Sequence, residues 1–206
     1  MFIESKESRA RKQKELEMKQ EGRLPPGQAL TLKWPVLHLA DVPRFDPDKW
    51  DFRIFGAVEE TVQWNYQEFM KLPKVQVKSD FHCVTRWSRF DNVWEGIAFT
   101  EVMKHVRLKK EASHVMVHGE SNYTANVPLE DLMRPNVVFA YKNNEENLTP
   151  EHGWPLRLIV PHLYGWKSVK WVRALEFLTS TVPGFWEQNG YHIYADPFRE
   201  QRYTDD

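Results

Sequence analysis

The sequence is almost without cysteine: Cys83 stands alone among 206 residues. A single thiol makes no internal disulfide, and without a Cys-x-x-Cys pair the zinc-ribbon, iron–sulfur and disulfide-scaffold classes are excluded. No run of about 18 apolar residues occurs, so nothing has the length to cross a bilayer as a helix. The formal net charge is only −1, which argues against a generic polyanion binder, and no nucleic-acid partner is expected. The opening residues MFIESKESRARKQ hold neither an apolar stretch of signal-peptide length nor a twin arginine ahead of one; the expected location is therefore cytoplasmic. No internal repeat is visible.

What is present suits one domain with a real core, since 41% of residues are hydrophobic and 14% aromatic. Residues 1–27 read as a charged arm, helical or disordered, in which Lys6, Arg9, Arg11, Lys12 and Lys14 interleave with acids and apolar residues are almost missing. Pro25, Pro26 and Gly27 end that arm, leaving 28–206 as the folded domain. Alternating apolar residues at Leu30 and Leu32, then at Trp50, Phe52 and Ile54, predict short strands, with Pro43 and Pro47 confining the stretch between them to a loop. A short helix is expected from Asn65 to Leu72, a strand at Val75–Val77, an amphipathic helix over 97–108, and strands at 114–118, 137–141 and 174–178. The element order predicts a mixed α+β fold.

The stretch DFHCVTRWSRFDNVWEG, from Asp80 to Gly96, concentrates the chemistry. A thiolate is a soft metal ligand and a good nucleophile, and either use needs positive neighbours, which His82 and Arg86 could supply. The plain alternative is a small buried apolar residue, the commonest fate of a free cysteine. A second stretch, GWPLRLIVPHLYGWKSVKWV from Gly153 to Val172, places Arg157, Lys167 and Lys170 around the Gly165 turn and Ser168, a convergent set for holding an anion through charge-assisted bonds.

The two stretches together resemble the sulfite oxidase family of molybdopterin-dependent oxidoreductases. In that family a cysteine and a following arginine lead into Trp-x-Gly at the start of a helix, here Cys83, Arg86 and Trp94-Glu95-Gly96. The second stretch is similar to the signature Gly-x-Pro-x-Arg-hydrophobic-Pro followed by Gly-x-Lys-x-x-Lys-Trp. The resemblance covers roughly residues 30 to 180. It implies a sulfite oxidase-type fold, mixed sheets with surrounding helices, that binds a molybdenum-molybdopterin cofactor (Mo-MPT) with Cys83 as the metal ligand. Lys33, His38, His152, Arg157, Lys167, Ser168 and Lys170 are the implied cofactor contacts. Arg86 is implied to orient a polar or anionic substrate, Tyr141 to face substrate beside the metal, and Trp94 to shape the pocket; a turn after His118 is implied to lie near the cofactor. The implied activity is two-electron oxygen-atom transfer on a small-molecule substrate, with an external electron-transfer partner. Sulfite oxidases of the family carry more arginines around the cysteine, so reduction of an S-oxide or N-oxide is favoured over sulfite oxidation. The larger relatives' immunoglobulin-like and haem domains have no room in this chain. Two rival readings stand beside this one: a molybdopterin carrier without catalysis, and a metal-free thiol enzyme using Cys83 and His82. Adjacent residues on an extended strand point to opposite faces, which disfavours the second.

Overall fold

The computed structural model describes residues 6–206, the side chain of Glu7 excepted. Its opening helix α1 (Lys6–Gln20) has no apolar stripe and, among its described side chains, buries only Met18, which packs with Leu30 and Phe90. Glu15 accepts from the Leu30 amide at 2.8 Å, and Arg23 donates to Asp80 and Asp91 at 2.7 and 2.8 Å, which ties the arm to the strands beneath.

Eleven strands form two sheets among the described residues. The first takes β1 (Ala29–Leu30), β4 (Val75–Cys83), β5 (Trp87–Ala98), β8 (Val138–Asn143), β9 (Glu146–Asn147) and β10 (Arg157–Ile159), with the long β4–β5 hairpin as its spine. The second runs β3 (Val62–Asn65), β2 (Asp51–Gly56), β11 (Val172–Leu178), β6 (His114–Gly119) and β7 (Thr124–Pro128). Phe139 of β8 meets Phe52 of β2 at 5.3 Å between ring centroids, and Phe69 and Phe99 close around them. That aromatic cluster is the main core, where each ring removes a large apolar area from water.

The helices are short caps. Asn65 opens α2 (Tyr66–Phe69) with a complete capping box: its side chain accepts from the Glu68 amide, while Glu68 reaches back to the Asn65 amide. α3 (Phe99–Met103), α4 (Leu129–Leu132) and α5 (Phe185–Gln188) are each about one turn.

Three expectations need correction. The helix expected over 97–108 shrinks to Phe99–Met103, because Ile97 and Ala98 still pair with Phe139 and Val138. For the same reason Trp94-Glu95-Gly96 lies inside a strand and not at a helix start. Gly96 is required there by close approach: a Cβ on it would stand 2.1 Å from the Phe139 carbonyl oxygen. Leu32 is exposed and outside any strand. Residues 31–50 cross the surface with no strand pairing, as the prolines require.

Candidate active site

Cys83 is the last residue of β4 and pairs with Trp87 at the closed end of the hairpin. The three-residue turn ends on Arg86, held at φ 68°, whose amide donates to the Cys83 carbonyl at 3.1 Å and whose own carbonyl accepts from Ala29. A turn closing on a left-handed residue is an ordinary solution for a hairpin loop of this length. It presents the half-buried Cys83 thiol at the tip of the sheet, with Thr85 Oγ1 3.1 Å from Sγ.

The second stretch folds back onto that tip. Gly153, at φ 114°, makes a reversal in which a Cβ would crowd both Arg157 and Lys170 at 3.1 and 3.3 Å, so the glycine lets the two cations approach. Arg157 is buried; its Nη1 donates to the His152 carbonyl at 3.0 Å, and its guanidinium packs over Phe81 and Trp34. Burial pulls its pKa down to about 10. Lys170 donates to the carbonyls of Leu37 and Glu151 at 2.7 and 2.6 Å. Among the described residues no carboxylate forms an ion pair with it, and burial, reinforced by Arg157, lowers its pKa to about 7. Ser168 Oγ accepts from the Val160 amide at 2.9 Å, which leaves its hydroxyl hydrogen to donate.

Cys83, Arg157, Ser168, Lys170 and His38 line one cavity of about 300 Å³, walled by Trp34, Phe81, Trp87, Tyr123, Trp166 and Tyr191. Three N–H donors in that wall are buried without an acceptor: Arg157 Nε, Trp87 Nε1 and Trp166 Nε1. A buried donor left unpaired costs about 1–3 kcal/mol, so the cavity is built for a ligand rich in acceptors. A soft thiol, two cations and orphaned donors suit a metal-bearing, phosphorylated pterin; the residues present fit that group.

Other sequence candidates fall elsewhere. Arg86 is exposed and turns toward the C-terminal tail: a Cβ at Gly27 would lie 3.0 Å from its Nη1 and 2.6 Å from Glu200 Oε1. Trp94 is fully buried behind Trp34 and donates to Ser79 Oγ at 3.0 Å. Tyr141 is core; its hydroxyl donates to Glu95 at 2.6 Å, and burial, reinforced by that carboxylate, raises its pKa. Lys33 is exposed and does not line the cavity. Lys167 is fully buried and ion-paired with Glu187, donating also to the carbonyls of Asn126 and Ile193. It clamps the tail segment that carries Trp186 and Tyr191, and does not face the cavity. His152 stacks on Trp34 at 4.1 Å, behind the cavity wall, and burial lowers its pKa. His118 pairs with Glu176 at 2.9 Å on the other sheet. His82 points away from Cys83 to Ser88 Oγ at 2.8 Å, and burial drops its pKa to about 4. It is no base for the thiol. The sequence reading passed over Trp34 and Tyr123, aromatic residues with no charge to mark them; Tyr123 donates to the Trp166 carbonyl at 2.7 Å.

Residues 38–186 match the family described as oxidoreductase molybdopterin binding domain. The chain is 45% identical to the uncharacterized oxidoreductase YuiH of Bacillus subtilis, over 90% of this chain and 94% of that one. It is 26% identical to the sulfite oxidase of Gallus gallus and 25% to the protein-methionine-sulfoxide reductase catalytic subunit MsrP of Gluconobacter oxydans, each over about three quarters of this chain. It spans 40% and 55% of those two proteins' own lengths. The solved sulfane dehydrogenase SoxCD of Paracoccus pantotrophus shares the fold, with a TM-score of 0.63 at 22% identity over 69% of this chain and 41% of that one.

Proposed function

The chain belongs to the oxidoreductase molybdopterin-binding family, and from that premise we propose that it reduces a small S-oxide or N-oxide by two-electron oxygen-atom transfer. It is a molybdopterin-dependent oxidoreductase; the substrate, the direction and the residues' roles are the proposed part. Molybdopterin, when bound, supplies a metal that exchanges two electrons with an oxygen-bearing substrate. Cys83 would hold that metal as a thiolate. Lys170 and Arg157, with the Ser168 hydroxyl, would hold the cofactor's phosphate, and His38 stands at the cavity edge to contact its polar rim. The N–H groups of Trp87 and Trp166 would donate to the pterin, removing the cost of leaving them unpaired. The aromatic walls would shield the bound cofactor from water.

The observation that carries this reading is the meeting of Cys83, Arg157, Ser168 and Lys170 in one cavity with three unsatisfied donors. Reduction is favoured over sulfite oxidation because Arg157 is the only arginine lining that cavity among the described residues, whereas a dianion asks for several. The electrons come from an external partner. No described helix is long and apolar enough to cross a membrane.

The test is turnover by molybdenum-loaded protein with a reduced dye as donor, offered sulfoxides, N-oxides and, with an oxidised dye, sulfite. The proposal expects dye oxidation with an S-oxide or N-oxide. Turnover of sulfite alone would overturn the direction, and none with any substrate by fully loaded protein would support a carrier.

A further inference from the structure

Beneath Trp34 lies a polar junction that the reading above leaves unused. Phe81 pairs with Arg89 just as Cys83 pairs with Trp87, so Arg89 projects from the same face of the hairpin as the thiol, one same-face position further along. Its Nη1 donates to the side-chain oxygens of Asn92 and, at 2.6 Å, Asn143. Among the described residues no carboxylate pairs with it, and its Nε and Nη2 make no hydrogen bond. Two neutral amides therefore hold a half-buried cation, whose pKa burial lowers. Asn143 is itself more than nine-tenths buried, and its Nδ2 has no acceptor. The buried Asn143 Nδ2, left without an acceptor beside a cation that no described carboxylate pairs, costs free energy until an acceptor arrives.

Trp34 covers the junction. Its ring centroid lies 5.1 Å from the Arg89 guanidinium carbon and 5.4 Å from that of Arg157. An indole face attracts a cation but accepts none of its hydrogen bonds in the way an oxyanion does. Trp34 rides on the segment 31–50, attached here by the Thr31 amide to the Ser88 carbonyl, by its own carbonyl to His152 Nε2 and by the Leu37 carbonyl to Lys170. That segment exposes Leu32, Val36, Leu37 and Leu39 to solvent. Few backbone bonds hold this strap, so moving Trp34 requires chiefly the loss of its ring contacts with Phe81, Trp94 and His152.

We propose that Arg89, with Asn92 and Asn143, is an anion subsite of the substrate pocket, uncovered when Trp34 swings aside, and that the preferred substrates are S-oxides or N-oxides bearing a carboxylate or similar negative group. This rests on the oxygen-transfer reading and names its substrate class. The experiment compares two sulfoxides that differ by one carboxylate group, methylsulfinylacetate and dimethyl sulfoxide, on the molybdenum-loaded wild type, Arg89→Gln and Asn143→Asp. The aspartate would pair with Arg89 and close the subsite without emptying it. Both variants are expected to lose about tenfold or more in kcat/KM for methylsulfinylacetate, through KM, the effect of one charge-assisted bond, while dimethyl sulfoxide changes less than about twofold. Calorimetry with the anionic product methylthioacetate reads the subsite without turnover: binding to loaded wild type and loss in both variants supports it. If no sulfoxide is reduced but methylthioacetate still binds through Arg89, the oxygen-transfer reading falls and the subsite stands. Equal effects on both substrates, or unchanged methylthioacetate binding in both variants, would overturn the subsite.

Discussion

Lys170 should make anion binding in the cavity depend on pH in a definite sense. Its pKa of about 7 lies far below the ordinary lysine value of 10.5 because burial and Arg157 disfavour its charge. In the cofactor-free protein it is charged below pH 7 and neutral above. Sulfate stays a dianion across this range and serves as the probe. If sulfate needs the charged amine, affinity is flat below about pH 6.5 and then falls tenfold per pH unit, roughly 50-fold between pH 7 and 9. Isothermal calorimetry at constant ionic strength measures it directly. Lys170→Met should bind sulfate weakly and without that slope, while Cys83→Ser should keep the slope, separating the amine from the thiol. The same shift predicts folding stability: the depressed native pKa means the unfolded chain holds more protons between pH 7 and 10.5, so this group's burial cost is full below 7 and relieved as pH rises through that window. A wild-type sulfate affinity flat from pH 6 to 9.5, or an equal slope in Lys170→Met, would refute the reasoning.

Other perturbations separate structural residues from those at the cavity. Lys167→Met should cost about 3–5 kcal/mol in urea unfolding, because it strands the buried Glu187 carboxylate; the double variant Lys167→Met/Glu187→Leu should recover much of that loss. Arg86→Ala should leave molybdenum content unchanged and turnover within about twofold, since the side chain lies against the tail and not the cavity. Tyr141→Phe should cost about 1 kcal/mol of stability with little effect on turnover, as Glu95 keeps Lys142 at 3.1 Å. Gly96→Ala should destabilise by on the order of 3 kcal/mol, seen as a lower thermal midpoint, because its Cβ meets a backbone carbonyl of the paired strand.

How far the sequence foretold this depended on what each residue's signal encodes. Period-two runs such as Val115, Val117 and Leu175, Phe177 mark strands whose partners need not be known, and β6, β8 and β11 lie near their expected places. β5 was obscured because it is buried on one face and carries Arg89, Asp91 and Asn92 among its aromatics. Helical spacing of Phe99, Val102 and Val106 overstated α3, since the same residues pack against a core that sets the boundary by tertiary contact. At the site, the glycines and cations of the second stretch were legible because positive φ and unpaired charge are rare requirements. Lys167 was misleading for the converse reason: an isolated lysine in a motif does not reveal a buried carboxylate twenty residues on. Which way Arg86 and Arg89 point depends on the hairpin register, and one residue of difference exchanges the faces.

The most direct test of the central claim, that Cys83 is the protein's ligand to molybdenum, is X-ray absorption at the molybdenum edge on loaded wild type and Cys83→Ser. The account predicts near-stoichiometric metal in the wild type and one fewer sulfur neighbour in the variant, with turnover lost. An unchanged sulfur shell with retained turnover would contradict it.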